Sequence, residues 1–213
     1  MKYEYIIWDW NGTLLNDVDV NFEILNILLK KRNLPEFGGK EKYLDMFGFP
    51  IIDFYEKAGF DLVGERLEDI AREYSHLYDE LFPTVELYEK AEEVLRFFFN
   101  AGVNQVIVSA SQQRLLTHQV TLHGIDHYFD DILGMRDIYG KGKVSIARYW
   151  MAQKGLMGRQ VLFIGDTLHD KEVADSIGCD CILVADGHNS KERLVSSGAT
   201  VVDSIEEIIQ LVK

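Results

Sequence analysis

Four polar residues, each at the edge of an apolar or helical run, carry the chemistry this sequence offers. Tyr5-Ile6-Ile7-Trp8 is an apolar stretch of strand length that stops at Asp9, and the turn signal Asn11-Gly12 follows directly. Asp9 is therefore expected at the carboxyl end of a buried strand, where open α/β sheets hold their ligands. A carboxylate in that place can attack phosphorus and carry the phosphoryl group as an aspartyl phosphate. Ser109 ends a second apolar run, Val106–Val108. Lys143 opens a helical pattern after Gly140-Lys141-Gly142. Asp166 ends a third run, Val161–Ile164, inside Gly165-Asp166-Thr167-Leu168-His169-Asp170.

The roles follow from charge. A carboxylate approaches a phosphate dianion only where the like charges are offset, and Mg²⁺ with hard oxygen ligands does this. Asp9, Asp166 and a backbone carbonyl are expected to hold the ion, with Asp170 behind through a water. Lys143 would neutralise both Asp9 and a phosphate oxygen, and Lys141 competes for that role. The Ser109 hydroxyl and the amides of Ala110, Gly12 and Thr13 would donate to the remaining oxygens. Ser111 reads as the N-cap of the next helix, whose N-terminus favours a nearby anion. Each part has a bland reading: Ser109 as a turn residue, Lys143 as a solvated cation, Gly-Asp-x-x-x-Asp as a turn with helix-start carboxylates. The order and spacing of the set argue against coincidence.

These residues need a frame that brings strand ends together. Tyr5–Trp8, Val106–Val108, Val161–Ile164 and Ile182–Val184 read as buried parallel strands, Asp131–Gly134 as a weaker one, and Thr200–Val202 as a short edge strand. Helical patterns lie between them: Glu86–Asn100, Ser111–His123, Lys143–Lys154, Leu168–Ile177, Ser190–Ser197 and Ser204–Val212. Strand alternating with helix predicts an α/β fold with a doubly wound parallel sheet. Residues 16–83 break the alternation. They show helical periodicity and four helices are expected there, clearest over Asp19–Arg32 and Glu65–Leu81. The reading is a core of residues 1–15 and 84–213, with a helical insert of residues 16–83 lying over the catalytic edge like a lid. The run Phe97-Phe98-Phe99 reads as core packing.

Composition narrows the partners. The chain has 213 residues, 47% hydrophobic, and a formal net charge of −13. Such a surface repels nucleic acid and anionic membranes and suits small-molecule chemistry. With no membrane-length apolar run and no signal-peptide layout at the N-terminus, a cytoplasmic location is expected. The two cysteines, Cys179 and Cys181, stand too close for ordinary disulfide geometry and fit a reducing compartment. His118, His123 and His127 do not share one helical face and are not read as a metal cluster. His188 reads first as a loop residue that follows a strand. A monomer and a homodimer are both compatible with the sequence.

D-x-x-G-T at Asp9–Thr13, a serine after an apolar strand at Ser109, a lysine at Lys143 and G-D-x-x-x-D at Gly165–Asp170 together resemble the haloacid dehalogenase superfamily. The helical insert looks like that superfamily's small cap, and phosphoglycolate phosphatase-like members are nearest in layout. The resemblance spans almost the whole chain. It implies a Rossmann-like core and a Mg²⁺-dependent phosphomonoesterase acting on a small phosphorylated metabolite. It also implies Asp9 as nucleophile and metal ligand, with the backbone carbonyl of Asn11 and the side chain of Asp166 as further ligands. Thr13, Ser109 and Lys143 would surround the phosphate.

Asn11 departs from that pattern. Phosphatases of the superfamily usually carry a second aspartate there, which protonates the leaving oxygen and then activates water. Acid–base help of this kind is worth about 10²–10⁴-fold. Three explanations stand at this stage: His169 substitutes, the substrate has a good leaving group such as an acyl or aryl phosphate, or Asn11-Gly12 deamidates. Two other functions compete with the phosphatase. One is a dehalogenase- or phosphonatase-like hydrolase, and the other is a phospho-ligand binder weakened by Asn11. Asn16, Asp17, Tyr43, Phe47 and Phe49 are candidate contributors to specificity, each with cap packing as its plainer role.

Overall fold

Alternation along the first strand sets the layering. In β1 (Tyr5–Trp8), Ile6 and Trp8 face one side of the sheet and Ile7 the other, and all three are fully buried. A sheet with such a strand must be covered on both faces. The structure, a computed structural model, describes residues 2–135 and 142–212. After β1 come four helices, α1 (Val18–Lys31), α2 (Lys40–Met46), α3 (Ile51–Ala58) and α4 (Leu67–Leu81). Then follow α5 (Ala91–Asn100), β2 (Asn104–Gln112), α6 (Gln113–Leu122), β3 (Asp131–Met135) and α7 (Lys143–Lys154). The chain continues through β4 (Val161–Gly165), α8 (Leu168–Ile177), β5 (Asp180–Val184), α9 (Lys191–Ser196), β6 (Thr200–Val202) and α10 (Ile208–Val212).

The six strands make one parallel sheet in the order β3-β2-β1-β4-β5-β6. Helices α5, α6 and α10 pack on the face of Ile6 and Trp8, and α7 and α8 on the face of Ile7. The winding direction reverses between β1 and β4, so a crevice opens at their carboxyl ends. Trp8 pairs with Ile107 and with Ile164, so Asp9, Ser109 and Asp166 all leave the sheet at that crevice. Helices α1 to α4 pack a second apolar cluster, built on Ile24, Leu28, Tyr43, Phe54 and Ile70.

Three expectations need correction. The helix read from Glu86 starts only at Ala91. Residues 86–88 instead pair with residues 14–16: the amide of Asn16 donates to Glu86, that of Tyr88 to Leu14, and Lys90 adopts φ 71°. A tertiary bridge claims the backbone there, and the left-handed Lys90 ends any helix approaching from its N-terminal side. Ser111 is not an N-cap. Strand β2 runs on to Gln112 with an irregular register after Val108, and α6 opens at Gln113. Of Phe97–Phe99, Phe98 is fully buried while Phe99 is 51% exposed, since successive helical residues point about 100° apart.

Candidate active site

The ends of β1 and β4 and the starts of α7 and α8 deliver the charged groups to the crevice. Asp9 follows β1 and is 8% exposed, and its Oδ1 accepts from the amide of Trp10 at 2.7 Å. Lys143, the first residue of α7, places Nζ 2.7 Å from Asp9 Oδ1 and 2.5 Å from Asp170 Oδ1. Asp166 follows β4. Its Oδ1 accepts from Thr13 Oγ1 at 2.9 Å and its Oδ2 from the amide of His188 at 2.6 Å. Thr167 caps α8, and a reciprocal capping arrangement turns Asp170 back into the crevice. Asp170 Oδ2 accepts from the amides of Asp166 (3.1 Å) and Thr167 (2.9 Å) and from Thr167 Oγ1 (2.7 Å).

Two glycines make this closeness possible. Gly12 sits at φ +70°, and a Cβ there would lie 2.3 Å from Asp166 Oδ2 and 2.5 Å from the His188 ring. A Cβ on Gly165 would lie 2.3 Å from the Asp170 carboxyl carbon. The buried Ser109 hydroxyl accepts from the amide of Ser111 at 3.0 Å, and Ala110 lies between them at the half-buried end of β2.

The electrostatics of this cluster are unbalanced. Asp9, Asp166 and Asp170 each offer an oxygen within 4.8 Å of the others, the one group of this kind among the described residues. Burial, and then the charge of Asp170, push the Asp9 carboxyl up to about 8. Burial likewise pushes Asp166 up to about 6. Burial would raise Asp170 too, but Lys143 and the Thr167 donors outweigh it and hold Asp170 below its ordinary value. Lys143 is raised because Asp170 and Asp9 outweigh its own burial. One ammonium thus faces three buried carboxylates, a deficit of positive charge that a divalent cation removes. The all-oxygen donors fit Mg²⁺. Asp9, Asp166 and Asp170 are the carboxylates whose oxygens would hold such an ion.

A second cluster lies beside the first, at the contact with α1, α2 and α4. Asp17 is fully buried. Its carboxylate accepts from Asn11 Nδ2 at 2.7 Å, the amide of Gly12 at 2.9 Å, Asn21 Nδ2 at 2.8 Å, Tyr78 Oη at 2.9 Å and His188 Nε2 at 3.3 Å. Burial alone would raise Asp17, but His188, Asn11 and Tyr78 together hold it below the ordinary carboxylate value. Burial alone would lower His188, and Asp17 leads the carboxylates that raise it instead. His188 Nδ1 meets Tyr43 Oη at 2.7 Å, and the ring packs on Phe47 at 4.9 Å between centroids.

The expected residues therefore divide. Asp9, Asp166, Asp170 and Lys143 converge, and Lys141 lies outside the described residues. The Thr13 hydroxyl is turned to Asp166. The Asn11 side chain lies between the clusters: Nδ2 donates to Asp17 and to Tyr78 Oη (3.3 Å), and Oδ1 accepts from Ser111 Oγ at 2.6 Å. His169 is turned elsewhere, with Nδ1 3.0 Å from Glu172 Oε2 on its own helix and its ring 4.8 Å from that of Phe49. Asn16 is exposed. Asp17 as the centre of a network, with His188, Tyr43 and Tyr78 around it, has no sequence motif that announces it, because its partners lie 4 to 171 positions away. Cys179 and Cys181 are free, and burial pushes both thiols up.

Comparison with known proteins places this site in a family. Residues 6–184 match the model of the haloacid dehalogenase-like hydrolases. A Haemophilus influenzae protein named phosphoglycolate phosphatase is 25% identical over 221 aligned positions, covering 99% of this chain and 98% of the relative. A Vibrio parahaemolyticus phosphoglycolate phosphatase is 27% identical over 150 residues, 70% of this chain, and the match spans 63% of that relative's length. The crystal structure of a predicted phosphoglycolate phosphatase from Haemophilus somnus has the same fold, with a TM-score of 0.82 at 24% identity over 100% of this chain and 99% of that one. A haloacid dehalogenase-like hydrolase from Streptococcus pneumoniae gives 0.85 at 16% identity, with 100% and 99% covered. With its matched segment, its parallel sheet and its carboxylate cluster at the switch point, the chain belongs to the haloacid dehalogenase-like hydrolases.

Proposed function

We propose that the protein is a Mg²⁺-dependent phosphomonoester hydrolase acting on a small phosphorylated metabolite through an aspartyl-phosphate intermediate. The observation that carries this reading is the cluster of Asp9, Asp166 and Asp170 around Lys143 at the carboxyl ends of β1 and β4. Asp9 is the nucleophile, Lys143 holds it and receives a phosphate oxygen, and Ser109 with the amides of Ala110, Gly12 and Thr13 receives the others. Asp9, Asp166 and the carbonyl of Asn11 hold the metal, with Asp170 behind. The ion supplies charge neutralisation between the nucleophile and the phosphoryl group.

Residues 16–83 act as a cap in this reading. Asp9 is almost fully covered, and Arg193 and Asn189 of the core hold the carbonyls of Leu44 and Phe47, so substrate enters as those bonds open. A dehalogenase reading fits less well, since three crowded carboxylates suit a cation. The free cysteines fit the cytoplasm, and no helix among the described residues is long and apolar enough to cross a membrane. The test is turnover of p-nitrophenyl phosphate with Mg²⁺, against the chelated protein and against Asp9→Ala. Activity that needs both the ion and Asp9 supports the assignment, and an active Asp9→Ala protein overturns it.

A further inference from the structure

The amide at position 11 is held in place by its surroundings. Both kinds of polar atom on Asn11 are engaged: Nδ2 with Asp17 and Tyr78, Oδ1 with Ser111. Asp17 is buried and accepts this donor, so a carboxylate at position 11 would stand a hydrogen-bond length from a second buried carboxylate. Two such groups cannot both ionise. The same side chain bridges Asp17 and Tyr78 on one side and Ser111, at the end of β2, on the other.

Several neighbouring proton carriers have partners of their own. Both ring nitrogens of His188 are bonded, to Tyr43 and to Asp17. His169 holds Nδ1 against Glu172 on its own helix. Lys143 lies between Asp9 and Asp170, and the Thr13 hydroxyl is turned to Asp166. In the superfamily pattern the leaving-group acid stands at position 11, and here that position is an amide, which does not deliver a proton.

We propose, resting on the phosphatase reading above, that the substrates are phosphates of acidic leaving groups, acyl phosphates first among them, and that the Asn11–Asp17 pair sets this selectivity. Asp9 attacks phosphorus, the bond from phosphorus to the bridging oxygen breaks, and its electron pair leaves with that oxygen. An acyl phosphate releases a carboxylate, whose conjugate acid titrates near about 4, so no proton is required. An alkyl phosphate would have to release an alkoxide, a far stronger base. Water then attacks the phosphoaspartate, the Asp9 oxygen–phosphorus bond breaks, Asp9 regains its electron pair, and the proton of water passes to phosphate and solvent.

The experiment compares kcat/KM, which reports the step that expels the leaving group, for acetyl phosphate, p-nitrophenyl phosphate and the alkyl esters 2-phosphoglycolate and glycerol 2-phosphate, all with Mg²⁺. The wild type should favour acetyl phosphate over the alkyl esters by about 10²–10⁴-fold, the worth of general acid help. The exchange variant Asn11→Asp/Asp17→Asn keeps one carboxylate and one amide in contact and puts the acid at position 11. It should narrow the ratio at least tenfold. A wild-type ratio within tenfold overturns the inference while leaving the phosphatase reading intact. A steep wild-type ratio that the folded exchange variant leaves unchanged removes the Asn11–Asp17 pair as its cause. No turnover of any ester, with no ³²P from acetyl phosphate on Asp9, overturns the phosphatase reading itself.

Discussion

Two buried ionic clusters sit side by side in this molecule, and they are built on opposite principles. Around Asp17, one carboxylate receives donors from Asn11, Gly12, Asn21, Tyr78 and His188. Around Asp9, three carboxylates gather beside one lysine, which pairs with Asp9 and Asp170. The first cluster is satisfied and joins the cap to the core. The second is short of positive charge and gains from a cation or from a proton. A buried charge is tolerable when its hydrogen bonds are complete, and where they are not, the site stores a capacity to bind.

The largest expected effect breaks the second cluster. Asp9→Asn should lower phosphatase turnover by at least about 10⁴-fold, the scale of losing a nucleophile. It should also raise the melting temperature of the chelated protein, because one of three crowded carboxylates is gone. Calorimetry in chelator checks this, and a lower melting temperature would contradict the charge deficit. Breaking the satisfied cluster should do the reverse to the fold. Asp17→Ala removes the carboxylate that five donors share and should cost about 3–5 kcal/mol in denaturant unfolding, with or without Mg²⁺.

The pH dependence sharpens the contrast. Asp9 and Asp166 are raised in the fold, to about 8 and about 6. Between the unfolded carboxylate value of about 3.9 and those values the native state binds more protons, so stability falls as pH rises. Asp17 is depressed, so its contribution is full above that unfolded value and is lost only on acidification through its own lower one. The chelated protein should therefore lose melting temperature from pH 4 to 8, and saturating Mg²⁺ should flatten that slope. At 100 times the dissociation constant the ion adds about 2.7 kcal/mol. An equal slope with and without Mg²⁺ would remove the carboxylates as its source. The smallest effect is that of Tyr43→Phe, which deletes one hydrogen bond to His188 and should cost about 1 kcal/mol, read by the same unfolding measurement.

The first cluster was harder to read from sequence than the second. Asp9 and Asp166 end apolar runs, and a parallel sheet sends strand ends to one edge, so local pattern plus topology leads to them. Asp170 is reached through Gly-Asp-x-x-x-Asp, four residues after Asp166. Ser111 misled because serine before a helical pattern usually caps it, whereas here the strand extends to Gln112 and the hydroxyl serves Asn11. His169 lies in the first turn of α8, with Nδ1 on Glu172 and its ring beside Phe49. Asp17 and His188 carry no local signature, since neither has a defined role until the cap meets the core.

The sequence alone determined the parallel sheet and the carboxylates at its strand ends, because apolar periodicity and turn residues act over a few neighbours, while Lys141 and Lys143 both stayed open as the lysine beside them. The tertiary structure decided how each buried charge is balanced. A carboxylate's state depends on which donors come within hydrogen-bond reach, and for Asp17 these come from segments as distant as Tyr78 and His188. That arrangement engages both polar atoms of Asn11, and it leaves three carboxylates around Asp9 with less positive charge than they need.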